Sequence, residues 1–416
     1  MSSLAELFGR PDAPPTPAYL YDLDELARSH AALRAALPRA AELFYSLKAN
    51  PHPAVLAALA TAGCQAEVCS PGELRAALAA GYAPAAMLYT GPGKRDVDVD
   101  EAVRAGVRLF SIDSPYGLDQ LDRIAAEYGT EVRALVRIND DTPSPGQGLT
   151  MTGVASQFGA DVWWVLDRPE LFGPRRHVRP VGFHLYTGSN LTGEDALMAQ
   201  FNQSVATVRR LAAATGVEPE LLDLGGGFGA PFARAGARPE YPKLADRLVR
   251  LLDDAFPGWP ESGPAVAFES GRHLVGTCGT LVTRVLDVKR SQGSTVVVLE
   301  SGIHHLGGMS GLRRLPPIVP DVVALAGPAG PARPGTIVAG PLCTPLDTWA
   351  RSATLVELTP GQLVAVPNVG AYGLYASLVA FLAHPMPVEV TVTGGRVTGM
   401  TRLELTRHST NGSVRG

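Results

Sequence analysis

The chain has 416 residues, of which 46% are hydrophobic and 18% charged, a balance typical of a globular protein with a substantial core. Its 36 basic and 40 acidic residues give a formal net charge of −4. No basic block interleaved with aromatic residues is present, so nucleic acid is not an expected partner. The four cysteines contain no Cys-x-x-Cys pair, which argues against a metal site or a disulfide framework and favours a reducing cytoplasm.

No segment has the pattern of an export or membrane sequence. Residues 1–17 include acidic residues and prolines where a signal peptide needs an apolar core. Residues 363–382 are apolar but are interrupted by Pro367, Gly370 and Gly373, whereas a membrane-spanning helix needs about 20 apolar residues in succession. We interpret this stretch as a buried loop followed by a helix, and we expect a cytoplasmic protein.

Short apolar runs alternate with Ala/Leu/Arg-rich helical stretches through the first two-thirds of the chain. In chain order the eight predicted strands are 43–49, 64–70, 86–91, 108–113, 133–139, 181–188, 221–226 and 265–271. Helices are predicted between them, for example over 71–80 and 195–214. This alternation predicts a parallel sheet, and eight repeats predict a (β/α)₈ (TIM) barrel. An earlier segment, 19–21, precedes these runs and is a candidate extra strand of the barrel.

The amino-acid composition of the sequence changes after Arg272. Valine, threonine and glycine become more frequent, and strand-like segments such as 295–299 and 388–393 follow one another with few helices between them. This pattern predicts an all-β domain. The predicted fold class is therefore α/β plus all-β, with a barrel over 36–272 and a C-terminal β-domain formed by 1–35 and 273–416.

The predicted strands end in chemically reactive or glycine-rich residues, and the C-terminal ends of barrel strands carry the active site in this fold. Lys48 ends the first strand and is a candidate Schiff-base former. More commonly, a lysine at the end of a strand is a surface residue whose ammonium group reaches water. The other strand ends contribute Glu67 to Glu73, Arg137, His184 to Ser189, Asp223 to Gly229, and Glu269 to Arg272.

Each of these features alone has an ordinary explanation. A triple glycine is usually a tight turn, Glu269 and Arg272 could form a structural ion pair, and a histidine on a strand is usually a core residue. In combination, glycine-rich backbone beside Ser189 and Arg272 indicates a phosphate-binding site. A lysine and an acid near such a site are what pyridoxal 5'-phosphate requires.

These motifs resemble those of the fold-type III pyridoxal-phosphate decarboxylases, the group that contains ornithine and diaminopimelate decarboxylases. The resemblance covers roughly residues 17–394. The matching segments are Tyr-Ser-Leu-Lys48-Ala-Asn, Cys69-Ser-Pro-Gly-Glu73, Gly188-Ser189, Gly225-Gly226-Gly227, Glu269-x-Gly-Arg272, Gly340-Pro-Leu-Cys343 and Gly370-Ala-Tyr372. The resemblance implies a barrel with a β-domain, as in alanine racemase, and a homodimer whose subunits share their active sites.

The resemblance also implies roles for individual residues. Lys48 would form the Schiff base with the cofactor, Glu269 would contact its ring nitrogen, and Cys343 of the neighbouring subunit would protonate the product, with His184 completing the catalytic set. The implied cofactor-binding residues are Lys48, Glu67, Arg137, Tyr186, Ser189, Gly226, Gly227, Glu269, Arg272 and Tyr372. The implied substrate-binding residues are Thr344, Asp347 and Tyr372.

Several positions depart from the family pattern. Tyr186 stands where the family usually has a ring-stacking histidine, and His184 lies two residues earlier, so either residue could stack on the cofactor. Thr344 replaces the acid that faces the distal group of ornithine or diaminopimelate, although Asp347 lies three residues further on. Gln157 stands where a lysine is common. Such departures are similar to the secondary-metabolism branch, whose substrates include siderophore intermediates and carrier-tethered amino acids.

The best interpretation is pyridoxal-phosphate-dependent decarboxylation of an amino acid whose distal group is modified or tethered to a carrier protein. The alternatives are a primary ornithine- or diaminopimelate-type decarboxylase, a racemase or epimerase, and a regulatory homologue without the cofactor. The Gly-Pro-Leu-Cys343 motif argues against the racemase. Retention of Lys48, Glu269 and Arg272 argues against the regulatory homologue.

Overall fold

The computed structural model describes residues 2–141, 153–307, 319–325 and 331–408. The strands are β1 (Ala18–Asp22), β2 (Glu42–Ser46), β3 (Gln65–Val68), β4 (Met87–Tyr89), β5 (Leu109–Ile112), β6 (Val132–Asn139), β7 (Ala160–Asp161), β8 (Val178–Leu185), β9 (Leu221–Asp223), β10 (Ala265–Ser270), β11 (Gly279–Ser291), β12 (Ser294–Leu299), β13 (Val323–Ala324), β14 (Arg333–Ala339), β15 (Thr348–Leu355), β16 (Leu363–Val366), β17 (Val388–Thr393) and β18 (Arg396–Arg402).

The helices are α1 (Ser2–Phe8), α2 (Leu23–Ala35), α3 (Pro53–Thr61), α4 (Pro71–Ala79), α5 (Asp96–Ala105), α6 (Pro115–Glu127), α7 (Val162–Asp167), α8 (Glu194–Thr215), α9 (Leu244–Ala255) and α10 (Arg272–Val275). Single 3₁₀ turns cover Leu47–Ala49, Pro84–Ala86, Pro169–Phe172, Leu374–Ala376 and Phe381–Ala383. None of the helices in the described part of the chain is long and apolar enough to cross a membrane.

The chain divides into a barrel unit, Leu23–Cys278, and a β unit formed by Met1–Asp22 and Gly279–Gly416. In the barrel unit, β2, β3, β4, β5, β6, β8, β9 and β10 pair in that order, and all of these pairs are parallel. The pairing of β10 with β2 closes the ring, so the predicted eight-stranded barrel is confirmed. Each of the eight strands overlaps one of the predicted apolar runs.

Side chains from seven strands fill the inside of the barrel. They are Phe44, Leu88, Leu109, Leu135, Val181, Leu221 and Ala267, and all are buried. Because this layer packs the barrel interior, functional side chains are left to the carboxyl ends of the strands, as expected for this architecture. Ser70 and Ser114 begin α4 and α6 by accepting the backbone N–H of Glu73 and Gly117, which satisfies N–H groups that a helix start leaves unpaired.

The β unit contains a mixed sheet with the order β15-β14-β12-β11-β1-β17-β18, and β16 pairs with β11. Strand β1 is antiparallel to β11 and parallel to β17. The early segment at residues 19–21 therefore belongs to this sheet, and the prediction that it might extend the barrel was wrong. Its side chains alternate between the two faces of the sheet, and Ala18 and Leu20 join the apolar core of the β unit with Val282 and Val390.

Residues 363–382 and the boundaries between the two units also differ from what the sequence predicted. Residues 363–382 contain strand β16 and two short 3₁₀ turns, so the predicted loop followed by a helix was wrong for this stretch. The predicted domain boundaries, 36 and 272, differ from the limits of the two units because α2 lies in the barrel unit and the chain passes to the β unit after Cys278. The assignment of cofactor binding to one unit stays a prediction.

Candidate active site

Lys48 lies directly after β2, in the 3₁₀ turn Leu47–Ala49, at the carboxyl end of the barrel. Its side chain is 44% exposed, whereas the carboxylate that it faces, Glu67 at the end of β3, is 3% exposed. The Nζ atom of Lys48 lies 3.3 Å from Oε1 and 3.5 Å from Oε2 of Glu67. An accessible amine is thus held at the barrel mouth by a buried acid from the neighbouring strand.

Glu67 is ionised in this arrangement. Burial alone would raise the pKa of its carboxyl, but the charge of Lys48 and hydrogen bonds from Ser46 and Thr90 outweigh burial and lower it. The Thr90 hydroxyl donates to Oε1 of Glu67 over 2.7 Å. The charge of Arg137, buried at the end of β6, also lowers the pKa of Glu67. The carboxylate therefore provides a stable counter-charge for the amine.

A second group of polar side chains lies inside the barrel mouth. His184 on β8, Asp223 on β9 and Glu269 on β10 are at most 2% exposed, and their donor and acceptor atoms lie within 4.8 Å of one another. His184 Nε2 is 3.4 Å from Glu269 Oε1, and its Nδ1 is 2.8 Å from the Ser111 hydroxyl. Three adjacent strands thus bring three titratable groups together in a buried site.

The charge state of this cluster follows from burial. Burial raises the pKa of Glu269 well above its ordinary value, and the charges of Glu67 and Asp223 raise it further. Burial also raises the pKa of Asp223 to about 7. Burial lowers the pKa of His184 well below its ordinary value, and the charge of Arg137 lowers it further. At neutral pH the histidine is neutral, and the acids retain a proton that a ligand can receive or share.

The glycine segment after β9 lies very close to its neighbours. A Cβ atom at Gly226 would lie 1.8 Å from the carbonyl oxygen of Glu269. Gly227 has a φ of +87°, and a Cβ atom there would lie 2.8 Å from the carbonyl oxygen of Gly188. Glycine is required at both positions, the first for close approach and the second for its left-handed backbone as well. The backbone of this segment is thereby fixed against the loop that contains Ser189.

The remaining predicted residues of the barrel unit lie at the same end of it. Ser189 follows β8, and Arg272 begins α10 directly after β10. The Arg272 guanidinium lies 5.9 Å from the ring of Phe232. Tyr186 is half-buried, and the Lys48 ammonium lies 5.9 Å from the centre of its ring. Tyr186 therefore faces the amine, whereas His184 lies in the buried acid cluster.

The predicted residues of the β unit occupy two loops. Cys343 is exposed in the loop between β14 and β15. In the same loop, the Thr344 hydroxyl accepts the backbone N–H of Leu346 over 3.3 Å. Asp347 is 2% exposed. Its two carboxylate oxygens accept the backbone N–H groups of Ile303 and Leu342, each over 2.8 Å.

Tyr372, in the other loop, has a φ of +55°, a strained conformation for a residue with a side chain. Nearby, the hydroxyls of Tyr375 and Tyr21 both donate to the buried Glu389 carboxyl, over 2.8 and 3.0 Å. These hydrogen bonds fix the segment that follows Tyr372 to strands β1 and β17. The strained conformation is thus supported by a buried polar network.

Sequence reasoning did not identify several members of the site. Asp223 stands in a predicted motif without a predicted role, and Ser111 and Thr90 are not among the predicted residues, although both contact predicted site residues. Their position at or next to the ends of β9, β5 and β4 was an available signal. Gln157 is exposed in the loop before β7, and Phe158 beside it stacks on the Arg137 guanidinium at 4.6 Å.

Comparison with known proteins identifies related sequences and folds. The model of the family described as pyridoxal-dependent decarboxylase, pyridoxal binding domain, matches residues 23–276. The chain is 30% identical to the L-glutamyl-[BtrI acyl-carrier protein] decarboxylase of Niallia circulans, over 91% of this chain and 89% of that protein. It is 31% identical to the diaminopimelate decarboxylase of Methanothermobacter thermautotrophicus, over 86% of this chain and 81% of that protein.

The fold is also similar to solved structures. The diaminopimelate decarboxylase of M. jannaschii superposes with a TM-score of 0.83, covering 97% of this chain and 92% of that chain at 24% identity. At that identity the likeness concerns the fold alone. The barrel with an additional β unit is therefore the architecture of this group of proteins.

The residues at the barrel mouth fit pyridoxal 5'-phosphate. Within the described residues, Glu269 Oε1 is buried without a hydrogen-bond partner, and such an orphaned acceptor normally has a ligand or water to pair with. A pyridine nitrogen with its proton would pair with Glu269. The glycine segment, Ser189 and Arg272 have the chemistry of a phosphate site, and Lys48 is an accessible amine.

Proposed function

Since this chain belongs to the pyridoxal-dependent decarboxylases, as its match to that family over residues 23–276 shows, we propose that it decarboxylates an α-amino acid whose distal end is uncharged and attached to a carrier protein. The decarboxylase activity and the cofactor follow from the family. The substrate class is the proposal, and the observation that supports it is the environment of Thr344 and Asp347.

The chemistry divides among the residues at the barrel mouth. Pyridoxal phosphate, when bound, withdraws the electron pair left at the α-carbon as carbon dioxide departs. Lys48 would supply the amine that holds the cofactor, and Glu67 keeps this lysine at the entrance. Glu269, whose pKa is raised by burial, keeps a proton at the ring nitrogen, and the proposed phosphate ligands are Ser189, Gly226, Gly227, Arg272 and Tyr372.

Two aromatic or charged positions have supporting roles in this proposal. The position of Tyr186 beside the Lys48 ammonium favours it over His184 as the side chain that stacks on the cofactor ring. His184 instead lies beside Glu269, with its Nε2 3.4 Å from that carboxyl group, and its Nδ1 pairs with the Ser111 hydroxyl. Arg137 supports the charge of Glu67. Cys343 is the proposed acid that returns a proton to the α-carbon.

The β14–β15 loop supports an uncharged distal group. A free diamino acid carries a distal ammonium, and an unpaired ammonium in a binding site costs several kcal/mol. Thr344 has no charge to offer. Asp347, the acid that could substitute, already accepts N–H bonds from Ile303 and Leu342 with its two oxygens, and burial raises the pKa of its carboxyl. A distal amide or thioester linkage would leave no charge to neutralise.

The test compares kcat/KM for free glutamate, lysine, ornithine and diaminopimelate with kcat/KM for glutamyl and other aminoacyl groups loaded on an acyl-carrier protein. We expect the carrier-linked form of the preferred amino acid to exceed its free form by at least about 100-fold, because a site lacking a polar partner discriminates strongly. Release of carbon dioxide and mass detection of the amine measure the reaction.

A second candidate is a diaminopimelate- or ornithine-type decarboxylase acting on a free substrate, which the similarity to the M. thermautotrophicus enzyme favours. A kcat/KM for a free diamino acid that exceeds that of the carrier-linked form by about tenfold or more, roughly 1.4 kcal/mol of transition-state preference, would establish this candidate and refute the tethered substrate. We further propose a cytoplasmic homodimer with shared active sites. All four cysteines are free, as a reducing compartment would leave them.

A further inference from the structure

The barrel unit contains a pocket that is lined by none of the residues to which decarboxylation has been assigned. It lies between the starts of α5 and α6, beside the end of β5, and has a volume of about 270 Å³. Its apolar side is formed by Val99, Phe110, Ile112 and Leu121. Its polar side contains Lys94 and Asp113. This volume lies just below the range of about 300–1,000 Å³ that is usual for ligand pockets, so only a small metabolite would fit.

Lys94 is a buried cation with few partners. Its side chain is 10% exposed, and its Nζ atom lies 3.8 Å from Oδ2 of Asp113, too far for a hydrogen bond. The ammonium has three N–H donors, and the carbonyl oxygen of Gly91 accepts one of them. Burial lowers the pKa of this amine to about 8 although the charge of Asp113 opposes the change. The positive charge is therefore only partly compensated.

Asp113 is the matching anion in the same pocket. Its side chain is 15% exposed. Its Oδ1 atom accepts the backbone N–H of Gly159 over 2.7 Å, which leaves Oδ2 as the oxygen nearer to Lys94. The two charged groups are thus fixed near each other on one side of the pocket, at a separation that a ligand with two opposite charges could bridge.

The charges decide which class of ligand suits the pocket. A simple anion would pair with Lys94 but would be repelled by Asp113. A simple cation would pair with Asp113 but would be repelled by Lys94. A zwitterion satisfies both groups, and a buried pair needs both of its charges satisfied. Ser114, Tyr116 and Gln120 also line the pocket, but Val99, Phe110, Ile112 and Leu121 form an apolar side. We therefore propose that this pocket binds a free α-amino acid with an apolar side chain, its carboxylate on Lys94 and its ammonium on Asp113.

Occupation of this pocket can be sensed by the catalytic residues. The charge of Lys94 acts on His184, so a carboxylate placed on Lys94 changes the electrostatic field at the barrel mouth. The proposal does not depend on the identity of the decarboxylation substrate. A free apolar amino acid would be a regulator, bound separately from the molecule that reacts.

The probe is L-leucine, titrated calorimetrically into the holoenzyme while the visible absorption of the cofactor is recorded on the same sample. We expect saturable binding of leucine without loss of the absorption of the Lys48-bound cofactor, because leucine in this pocket does not displace Lys48. N-acetyl-L-leucine lacks the ammonium and L-leucinamide lacks the carboxylate, so the dissociation constant of each should be higher by about tenfold or more. Equal binding of all three compounds would overturn the zwitterion assignment.

Three variants test the location of the site. Lys94→Met and Asp113→Asn each remove one charge and should raise the dissociation constant for leucine by about tenfold or more. Gly93→Leu should block the pocket, because a Cβ atom at Gly93 meets no atom within 4 Å and the residue lines the pocket. Arg95→Met is the matched control, since Arg95 is the next cation along the chain but its side chain is 75% exposed and pairs with Asp98.

The outcomes separate clearly. Loss of leucine binding in Gly93→Leu, with an unchanged melting temperature and an unchanged response in Arg95→Met, supports the pocket even where Lys94→Met fails to fold. Leucine binding that persists in Gly93→Leu, or that always accompanies loss of the absorption of the Lys48-bound cofactor, overturns the proposal. A holoenzyme that binds acetate or phosphate at this pocket but not leucine also overturns it.

Discussion

Two carboxyl groups, those of Asp223 and Glu269, share a buried cluster with His184, and their proximity has an energetic cost. Burial raises the pKa of Asp223 to about 7, from an ordinary value of 3.8, because a charge inside the barrel loses its hydration. Asp223 also fixes the glycine segment by accepting the backbone N–H of Gly225 over 2.8 Å. A residue that positions the proposed phosphate site therefore destabilises the fold when it ionises.

Asp223→Asn should remove a pH-dependent loss of stability. The pKa of Asp223 is higher in the folded than in the unfolded chain, so the folded state binds more protons between pH of about 4 and 7, and stability falls as the pH rises through that range. Denaturation of the cofactor-free protein should show wild type losing on the order of 2 kcal/mol more than Asp223→Asn between pH 5 and pH 8. Asparagine keeps an oxygen for Gly225. Parallel pH profiles for the two proteins would show that Asp223 does not titrate in this range.

At the scale of elements, the sequence predicted the barrel strands because each is a short apolar run, a local property of the chain. The pairing partner of residues 19–21 was not predictable in the same way, since β1 pairs with β11 and β17, which lie far away in sequence. The positions of Lys48 and Glu269 were predictable because they end strands. The sequence did not predict that both carboxylate oxygens of Asp347 accept hydrogen bonds, because the donors are the backbone N–H groups of Ile303 and Leu342 and not side chains.

The glycine segment offers a test that separates backbone strain from crowding. Gly227 and Gly81 both have positive φ, +87° and +92°, but a Cβ atom at Gly81 would meet nothing within 4 Å. Gly81→Ala should cost about 1 kcal/mol of stability, the cost of the left-handed backbone alone. Gly227→Ala should cost more and should raise the dissociation constant for pyridoxal phosphate by at least about tenfold. Equal effects of the two substitutions on stability and on cofactor affinity would refute the close approach to Gly188.

The β14–β15 loop depends on Asp347 for its conformation. Asp347→Asn replaces one acceptor oxygen with an N–H₂ group that faces a backbone N–H, so we expect a loss of about 2 kcal/mol of stability, measured by thermal unfolding. Because Cys343 lies in this loop, the variant should also release more aldehyde relative to amine, with the amino group left on the cofactor as pyridoxamine phosphate, the result expected when no acid reaches the α-carbon. Asp287→Asn, at an exposed position of the same unit, is the control. A variant with wild-type stability and product ratio would show that the loop does not need Asp347.

At the scale of the whole molecule, the proposed reaction needs residues from both units, Lys48 and Glu269 from the barrel unit and Cys343 from the β unit. In a symmetric dimer, each subunit can give its Cys343 to the site of its partner. Each active site would then contain Lys48 from one chain and Cys343 from the other. This arrangement predicts how inactive subunits combine.

Mixing Lys48→Ala subunits with Cys343→Ala subunits should restore formation of the normal amine. Random exchange at equal concentrations makes half of the dimers hybrid, and one of the two sites in each hybrid keeps both residues, so activity should reach about a quarter of wild type. Lys48→Ala mixed with Glu269→Gln is the matched control. Both of those residues belong to the same barrel, every site keeps one defect, and no activity should return. If native mass spectrometry shows hybrid dimers and the first mixture stays inactive, or if the control mixture regains activity equally, then Lys48 and Cys343 do not act across the dimer in the proposed way.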